Sequence, residues 1–280
     1  MSLPARVLPA PFRYAPYRDP ADLRYRGDDA DIISIPEPLG CPYAAGFACS
    51  KRAIESALRL RYEVFNEELG EGLHSSRETG MDRDEFDDQM DHIVLVSKST
   101  HRIVGTYRIQ TAKHALQHQG IYSGRQYDLR PLEAFFPEMV ETGRACISKD
   151  HRSYPAIIMM WKAISVYMTA YNQRYLFGCC SLTSLDPLDG WRALKTLRGM
   201  DSVHPTICAE PVASYSCGDP SLENDPSITP LPKIPKLFSA YLRLGTQVVS
   251  YPAIDREFGT VDFLMFLDAP TVSFSQIMMR

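Results

Sequence analysis

Two opposite charges stand three residues apart in an otherwise apolar run, Glu141-Thr-Gly-Arg144, within MVETGRACIS over residues 139–148. Ionised groups inside a sheet need partners, so the pair reads either as a structural ion pair or as groups held for use on a substrate. Three other constellations carry reactive side-chain types. Asp82, Asp84, Asp87 and Asp91 precede His92 at the mouth of an apolar run, a set that either solvates a loop or holds a cationic, amine-bearing substrate. It does not follow the EF-hand pattern, whose glycine and terminal glutamate are absent from their places. Arg61 and Phe65 lie at i and i+4 on one helix face, where an arginine stem can simply pack on the core. Residues 148–154, SKDHRSY, open a long apolar segment. A helix start there would bind an anion through its free N–H groups, with Lys149 and Arg152 adding charge for a phosphate. The plainer reading is a polar connection with Ser153 near the N-cap. No Ser-His-Asp set, Walker loop, CxxC pair or spaced His/Cys pattern competes with these, and no metal site is expected.

Periodicity supplies the elements that must position these groups. A strand over 43–49 is followed by Ser50 as an N-cap, then Ile54, Leu58, Arg61, Tyr62, Phe65 and Leu69 at helical spacing, with Gly70 ending the helix. Residues 92–98 and 102–110 form a hairpin of β-branched strands, with Arg108 late in the second. A short helical piece over 129–137 leads to the 139–148 strand. Its alternation sends Glu141 and Arg144 to opposite faces unless Gly143 introduces a bulge. A helix over 154–172 repeats apolar residues near 3.5, and the 175–182 strand, YLFGCCSL, is apolar on both faces and therefore central. Cys179 and Cys180 read there as buried strand residues. Helices over 188–200 and 236–245 and strands over 246–254 and 260–268 complete a mixed α/β fold packed by helices. Residues 1–40, rich in Pro, Arg and Asp, read as an extended or partly disordered arm, and 41–280 as one domain with an irregular excursion near 200–233.

Composition narrows the function classes. With 30 basic and 34 acidic residues among 280 the net charge is −4, which argues against nucleic acid as a partner. The acid is concentrated: ten Asp and Glu residues fall between Glu67 and Asp91 against only Arg77 and Arg83. The first twenty residues lack the apolar core of a signal peptide, and the longest apolar stretch, 156–170, is interrupted by Lys162 and too short for a membrane span. Seven cysteines without a disulfide pattern suit a reducing, cytoplasmic setting.

Taken in order, RYEVFNEELG, FDDQMDHIVLV, GTYRIQ, ETGRACIS, LFGCCSL and YLRLGTQVVSYPAIDREFGTVDFLMFLD resemble the ornithine N-acyltransferase family of GNAT-fold enzymes that use acyl carrier protein. Arg61-x-x-x-Phe65, Asp84-x-x-Asp87, Arg108 and Glu141-x-x-Arg144 also resemble the pattern of N-acyl-homoserine-lactone autoinducer synthases and N-acyl amino acid synthases. The resemblance implies a mostly antiparallel sheet flanked by helices, and transfer of a fatty acyl chain to the amine of an amino acid or related small molecule. It implies Glu141 as the base, with Asp87 or Asp91 as alternatives, and Arg61, Phe65, Asp84, Arg108 and Arg144 about the substrate. Ser148, Lys149 and Arg152 fall to the donor. Acetyl-CoA enzymes of this fold carry a glycine-rich turn before the long helix, whereas SKDHRSYPA has no glycine. The expected donor is therefore acyl-phosphopantetheine on acyl carrier protein, with acyl-CoA second and no bound cofactor. Peripheral membrane contact is a further expectation. An autoinducer synthase and a non-catalytic acyl-binding module of the same fold are the rival readings.

Overall fold

The computed structural model describes residues 25–27, 30–231 and 233–269. The strands are β1 (Tyr25–Gly27), β2 (Ala30–Ser34), β3 (Tyr43–Ala48), β4 (Asp91–Ser97), β5 (Ile103–Thr111), β6 (Met139–Ile147), β7 (Tyr175–Leu182), β8 (Gln247–Val248), β9 (Ala253–Asp255) and β10 (Thr260–Asp268). The helices are α1 (Lys51–Tyr62), α2 (Ser76–Thr79), α3 (Ala112–Leu116), α4 (Tyr154–Ala170), α5 (Pro187–Gly199) and α6 (Lys236–Arg243). The chain forms a mixed α/β fold with a mostly antiparallel sheet flanked by helices. One domain is expected over 41–280; the described residues gather into two compact units, those within 25–111 and 142–173, and those within 112–141 and 174–269. Strand β6 runs from the second unit into the first.

In the first unit β1 to β5 pair in chain order as antiparallel neighbours, and β6 follows β5. The sheet thus begins inside the stretch read from sequence as an arm, because Ile32, Ile33 and Ser34 pair with β3; residues 1–24 lie outside the described residues. Helix α1 starts as its sequence directs, Ser50 accepting a hydrogen bond from Ala53 N at 3.1 Å. It buries Ala53, Ala57, Leu58 and Arg61. The helix expected to run unbroken to Leu69 instead widens after Tyr62 into a π-helical turn, Glu63–Glu68, a local irregularity frequent near functional groups. Helix α4 lies on β3, β4 and β5, with Met159, Met160, Trp161, Ile164 and Met168 buried.

Gly46 is demanded by close packing of β2 on β3. A Cβ there would sit 2.3 Å from the Ile33 carbonyl oxygen and 2.6 Å from Ile32 Cγ2, and backbone cannot yield as a side-chain tip can. Gly46→Ala is expected to lower stability by ~1–3 kcal/mol through overpacking, a drop of several degrees in Tm readable by thermal melting. An unchanged Tm would show that this strand pair is free to shift.

In the second unit β7 pairs with β6 in parallel over Met139↔Tyr175, Val140↔Leu176 and Glu141↔Phe177. Strand β10 pairs antiparallel with β7 along its whole length and carries β8 and β9 on its other edge. The strand expected over 246–254 is split into β8 and β9, since Pro252 offers no N–H to a ladder. Two cores form here. One gathers Trp191, Leu194 and Leu197 of α5 with Phe238, Val248 and Phe263; the other gathers Tyr127, Leu132, Met139, Phe177, Val249 and Leu264. Trp191 Nε1 donates to the Cys217 carbonyl at 2.9 Å, so the excursion before α6 is pinned to α5. Among the described residues no helix is long and apolar enough to cross a membrane, and no group of three or more His, Cys, Asp or Glu is placed to hold a metal.

Candidate active site

The charged motifs of the first unit condense into one buried ionic network. Arg61 is drawn inward because it occupies the apolar stripe of α1, and it is fully buried. Its guanidinium donates to Asp87 Oδ1 at 2.7 Å and Oδ2 at 3.0 Å, and to Asp82 Oδ1 at 2.8 Å and the Asp82 carbonyl at 2.6 Å. Arg108, from β5, donates to Asp84 and, at 3.1 Å, to Asp87 Oδ1. Arg144 reaches Asp84 Oδ2 at 3.2 Å and approaches Asp82 Oδ1 at 3.4 Å. Three guanidinium groups thus face three carboxylates, a balance that makes a buried set tolerable. Local structure assists: Asp84 caps a short 3₁₀ turn, accepting from Phe86 N, while Asp87 returns a bond to Asp84 N.

Electrostatics follow from this arrangement. Burial alone would raise the Asp87 carboxyl, but Arg61 and Arg108 hold it well below the usual carboxylate range. Burial works against the Arg61 charge too, and Asp87 and Asp82 outweigh it. His92 is fully buried, and burial pushes its imidazole down from 6.5 to about 4. Its Nε2 lies 3.2 Å from the Asp87 carbonyl oxygen, which can only accept, so Nε2 carries the proton of the neutral ring. A depressed histidine stabilises the fold above its unfolded pKa and loses that contribution as pH falls from 6.5 toward 4. Between pH 7 and pH 5 His92 is expected to remove about 2 kcal/mol of stability. Urea midpoints at the two pH values test this, and His92→Asn should flatten the difference; an unchanged difference would place the sensitivity elsewhere.

Asp91 is engaged separately, accepting from Tyr167 OH of α4 at 3.0 Å. Phe65 is buried in the π-helical turn. Arg144 itself takes the left-handed conformation, φ +49°, so the irregularity anticipated at Gly143 falls one residue later; a Cβ at Gly143 would meet nothing within 4 Å. Of the donor residues, Lys149 is exposed and lies in a 3₁₀ turn after Ser148. Arg152 forms a two-pronged pair with Glu68 at 2.6 and 2.7 Å, and its Nε donates to the Ile147 carbonyl at 2.9 Å.

Glu141 belongs to the second unit and is 1% exposed. Its Oε1 accepts Ser123 N and Ser123 Oγ, both at 2.7 Å, and its Oε2 accepts Tyr122 N at 2.9 Å. The carboxylate therefore caps the 3₁₀ turn Tyr122–Arg125, whose own N-cap, Ile121, makes no side-chain bond. Beyond Ser123 the polar groups continue. Cys179 Sγ lies 3.8 Å from Ser123 Oγ and 3.4 Å from Gln126 Oε1, and Gln126 Nε2 donates to Asp255 and Asp262 at 2.9 Å each. Ser123, Gln126, Asp255 and Asp262, the side chains of this polar chain, were not legible as a group in the sequence. Their only sequence signals were a Ser-Gly turn and two aspartates near the ends of the last strands.

Residues 60–162 match the acetyltransferase (GNAT) domain family. The chain is 31% identical over 237 residues to L-ornithine N(alpha)-acyltransferase of Rhodobacter capsulatus, spanning 82% of this chain and 92% of the relative. The enzyme of the same name from Brucella abortus is 28% identical over 253 residues, spanning 81% of this chain and 84% of the relative. A solved N-acyl amino acid synthase from uncultured soil microbes aligns with a TM-score of 0.47 at 11% identity, covering 84% of this chain and 93% of its own. The domain match and these relatives define a GNAT-type, amide-forming N-acyltransferase, an enzyme that joins an acyl group to an amine. Within that class the chain belongs to the L-ornithine N(alpha)-acyltransferase family.

Proposed function

We propose that this enzyme moves a fatty acyl group from acyl carrier protein to the α-amine of ornithine, with Glu141 taking the amine proton. The observation that carries the acceptor is the 31% identity across 82% of the chain to an enzyme named for ornithine. The donor rests on the glycine-free segment 148–156. It lacks the turn whose backbone N–H groups would hold a CoA pyrophosphate, while exposed Lys149 and Arg152 suit an acidic carrier protein. In this reading Arg152 exchanges Glu68 for the phosphopantetheine phosphate. Seven free thiols support a reducing, cytoplasmic setting, and release of a product apolar at one end would bring the enzyme to a membrane surface.

Chemically, the neutral amine attacks the thioester carbonyl carbon and a C–N bond forms. The nitrogen then gives its proton to Glu141, the C–S bond breaks, and the phosphopantetheine sulfur leaves and takes the proton. Arg61, Asp84, Asp87, Arg108 and Arg144 serve as a preformed scaffold in this account, since each is spent on another member of the network. In this reading Glu141 takes the base role, with Asp87 held by the guanidinium groups of Arg61 and Arg108 and Asp91 by the Tyr167 hydroxyl.

The test offers purified protein acyl-carrier-protein and acyl-CoA thioesters of several chain lengths, with ornithine, lysine and homoserine-type amines, and reads the products by mass. N-acylornithine from the carrier-protein thioester is the expected product. Turnover with acetyl-CoA alone would overturn the donor, and acylation of another amine in preference to ornithine would overturn the acceptor.

A further inference from the structure

Two of the hydrogen bonds to the Glu141 carboxylate come from one residue, Ser123. An ionised carboxylate only accepts hydrogen bonds, so the Ser123 hydroxyl must be the donor in its 2.7 Å contact with Oε1. The same oxygen takes the Ser123 backbone N–H, also at 2.7 Å. Both in-plane lone pairs of Oε1 are thereby engaged by one residue. Oε2 takes the Tyr122 N–H at 2.9 Å. Behind the hydroxyl lies Cys179, whose single S–H is shared between Gln126 Oε1 at 3.4 Å and Ser123 Oγ at 3.8 Å, and Gln126 is fixed by Asp255 and Asp262. Burial pushes the Cys179 thiol well above its ordinary value, so it stays a protonated donor in this chain of bonds. Ser123 is 1% exposed.

We propose that Ser123 is a positioning residue for acyl transfer. By giving both of its donors to Oε1 it fixes the plane of the carboxylate that takes the amine proton. This rests on Glu141 being the proton acceptor. Ser123 touches neither the acyl group nor the amine and acts through Glu141. If the hydroxyl served the turn's stability alone, its removal would lower Tm and leave kcat of the folded enzyme unchanged.

The experiment measures kcat, KM for the acyl-carrier-protein thioester and Tm for wild type, Ser123→Ala, Ser123→Thr, Ser123→Cys and Glu141→Gln. Loss of a hydrogen bond to a charged group is expected to lower kcat of S123A ~10–100-fold, with KM for the donor within about two-fold of wild type. S123T, which keeps the hydroxyl, should recover most of that loss, and S123C, a weaker donor, should fall between. Wild-type kcat in S123A would overturn the proposal. So would a loss that follows Tm across all three substitutions without recovery in S123T. The two failures remain separable: wild-type kcat in E141Q removes the base itself, whereas an inactive E141Q beside a fully active S123A removes only the role of Ser123.

Discussion

Replacing Asp87 by alanine is expected to cost ~3–5 kcal/mol of folding stability, the largest loss from any one side chain of the ionic network. Asp87 accepts from Arg61 through both oxygens, from Arg108, and from Asp84 N. Removing it leaves two fully buried guanidinium groups short of a counter-charge and frees the cap of the 3₁₀ turn Glu85–Asp88. Asparagine is no remedy, because its amide hydrogens would confront arginine N–H groups. The double variant Arg61→Met/Asp87→Leu removes charge of both signs and should lose less than the sum of the single changes. Urea unfolding of the four members of that cycle reads the coupling. Additive losses would show that the pair does not act as a unit. Because Asp87 is held below its ordinary 3.8, its own contribution disappears only at still lower pH, so the loss expected between pH 6.5 and 4 belongs to His92.

The second large effect is on rate. Glu141→Gln is expected to lower kcat by ~10²–10⁴, the usual worth of a positioned proton acceptor. It also perturbs the fold. With the amide oxygen set toward the two donors of Ser123, the NH₂ group faces Tyr122 N–H, a donor against a donor. That mismatch should cost ~1–3 kcal/mol. Rates must therefore be compared well below the Tm of the variant and normalised to folded protein. Glu141→Asp keeps the charge but shortens the reach by one methylene, so it should retain the sign of the interaction and lose its geometry. Wild-type kcat in folded E141Q would remove the base role from Glu141.

Much of the fold was legible because the elements announce themselves by period. Alternating or continuous apolar runs gave β3 to β7 and β10, and Ser50 gave the start of α1. The order of those elements was enough for a mixed sheet. The early strands were hidden: residues 25–34 are few and rich in Asp, and their pairing is specified by β3, which lies further along the chain. The split of the 246–254 strand is visible only once Pro252 is weighed against the ladder it interrupts.

The site divides the same way. Arg61 was legible as a charge on an apolar helical stripe, and the aspartates as a run of uncommon density. Which carboxylate meets which guanidinium depends on tertiary placement. Glu141 and Arg144 have different partners, and Arg144 rather than Gly143 carries the positive φ. The partners of Glu141 were least legible of all. Backbone N–H groups of Tyr122 and Ser123 are among its donors, and every residue but proline possesses one, so no residue type marks them.

The most direct test of the central claim uses ornithine labelled with ¹⁵N at the α-position, the fatty-acyl carrier-protein thioester and purified enzyme, with the product resolved by tandem mass spectrometry. The account predicts one acyl group in amide linkage to the labelled nitrogen, with free carrier-protein thiol released in equal amount. Acylation of the side-chain nitrogen, or thiol release without an amide product, would contradict it.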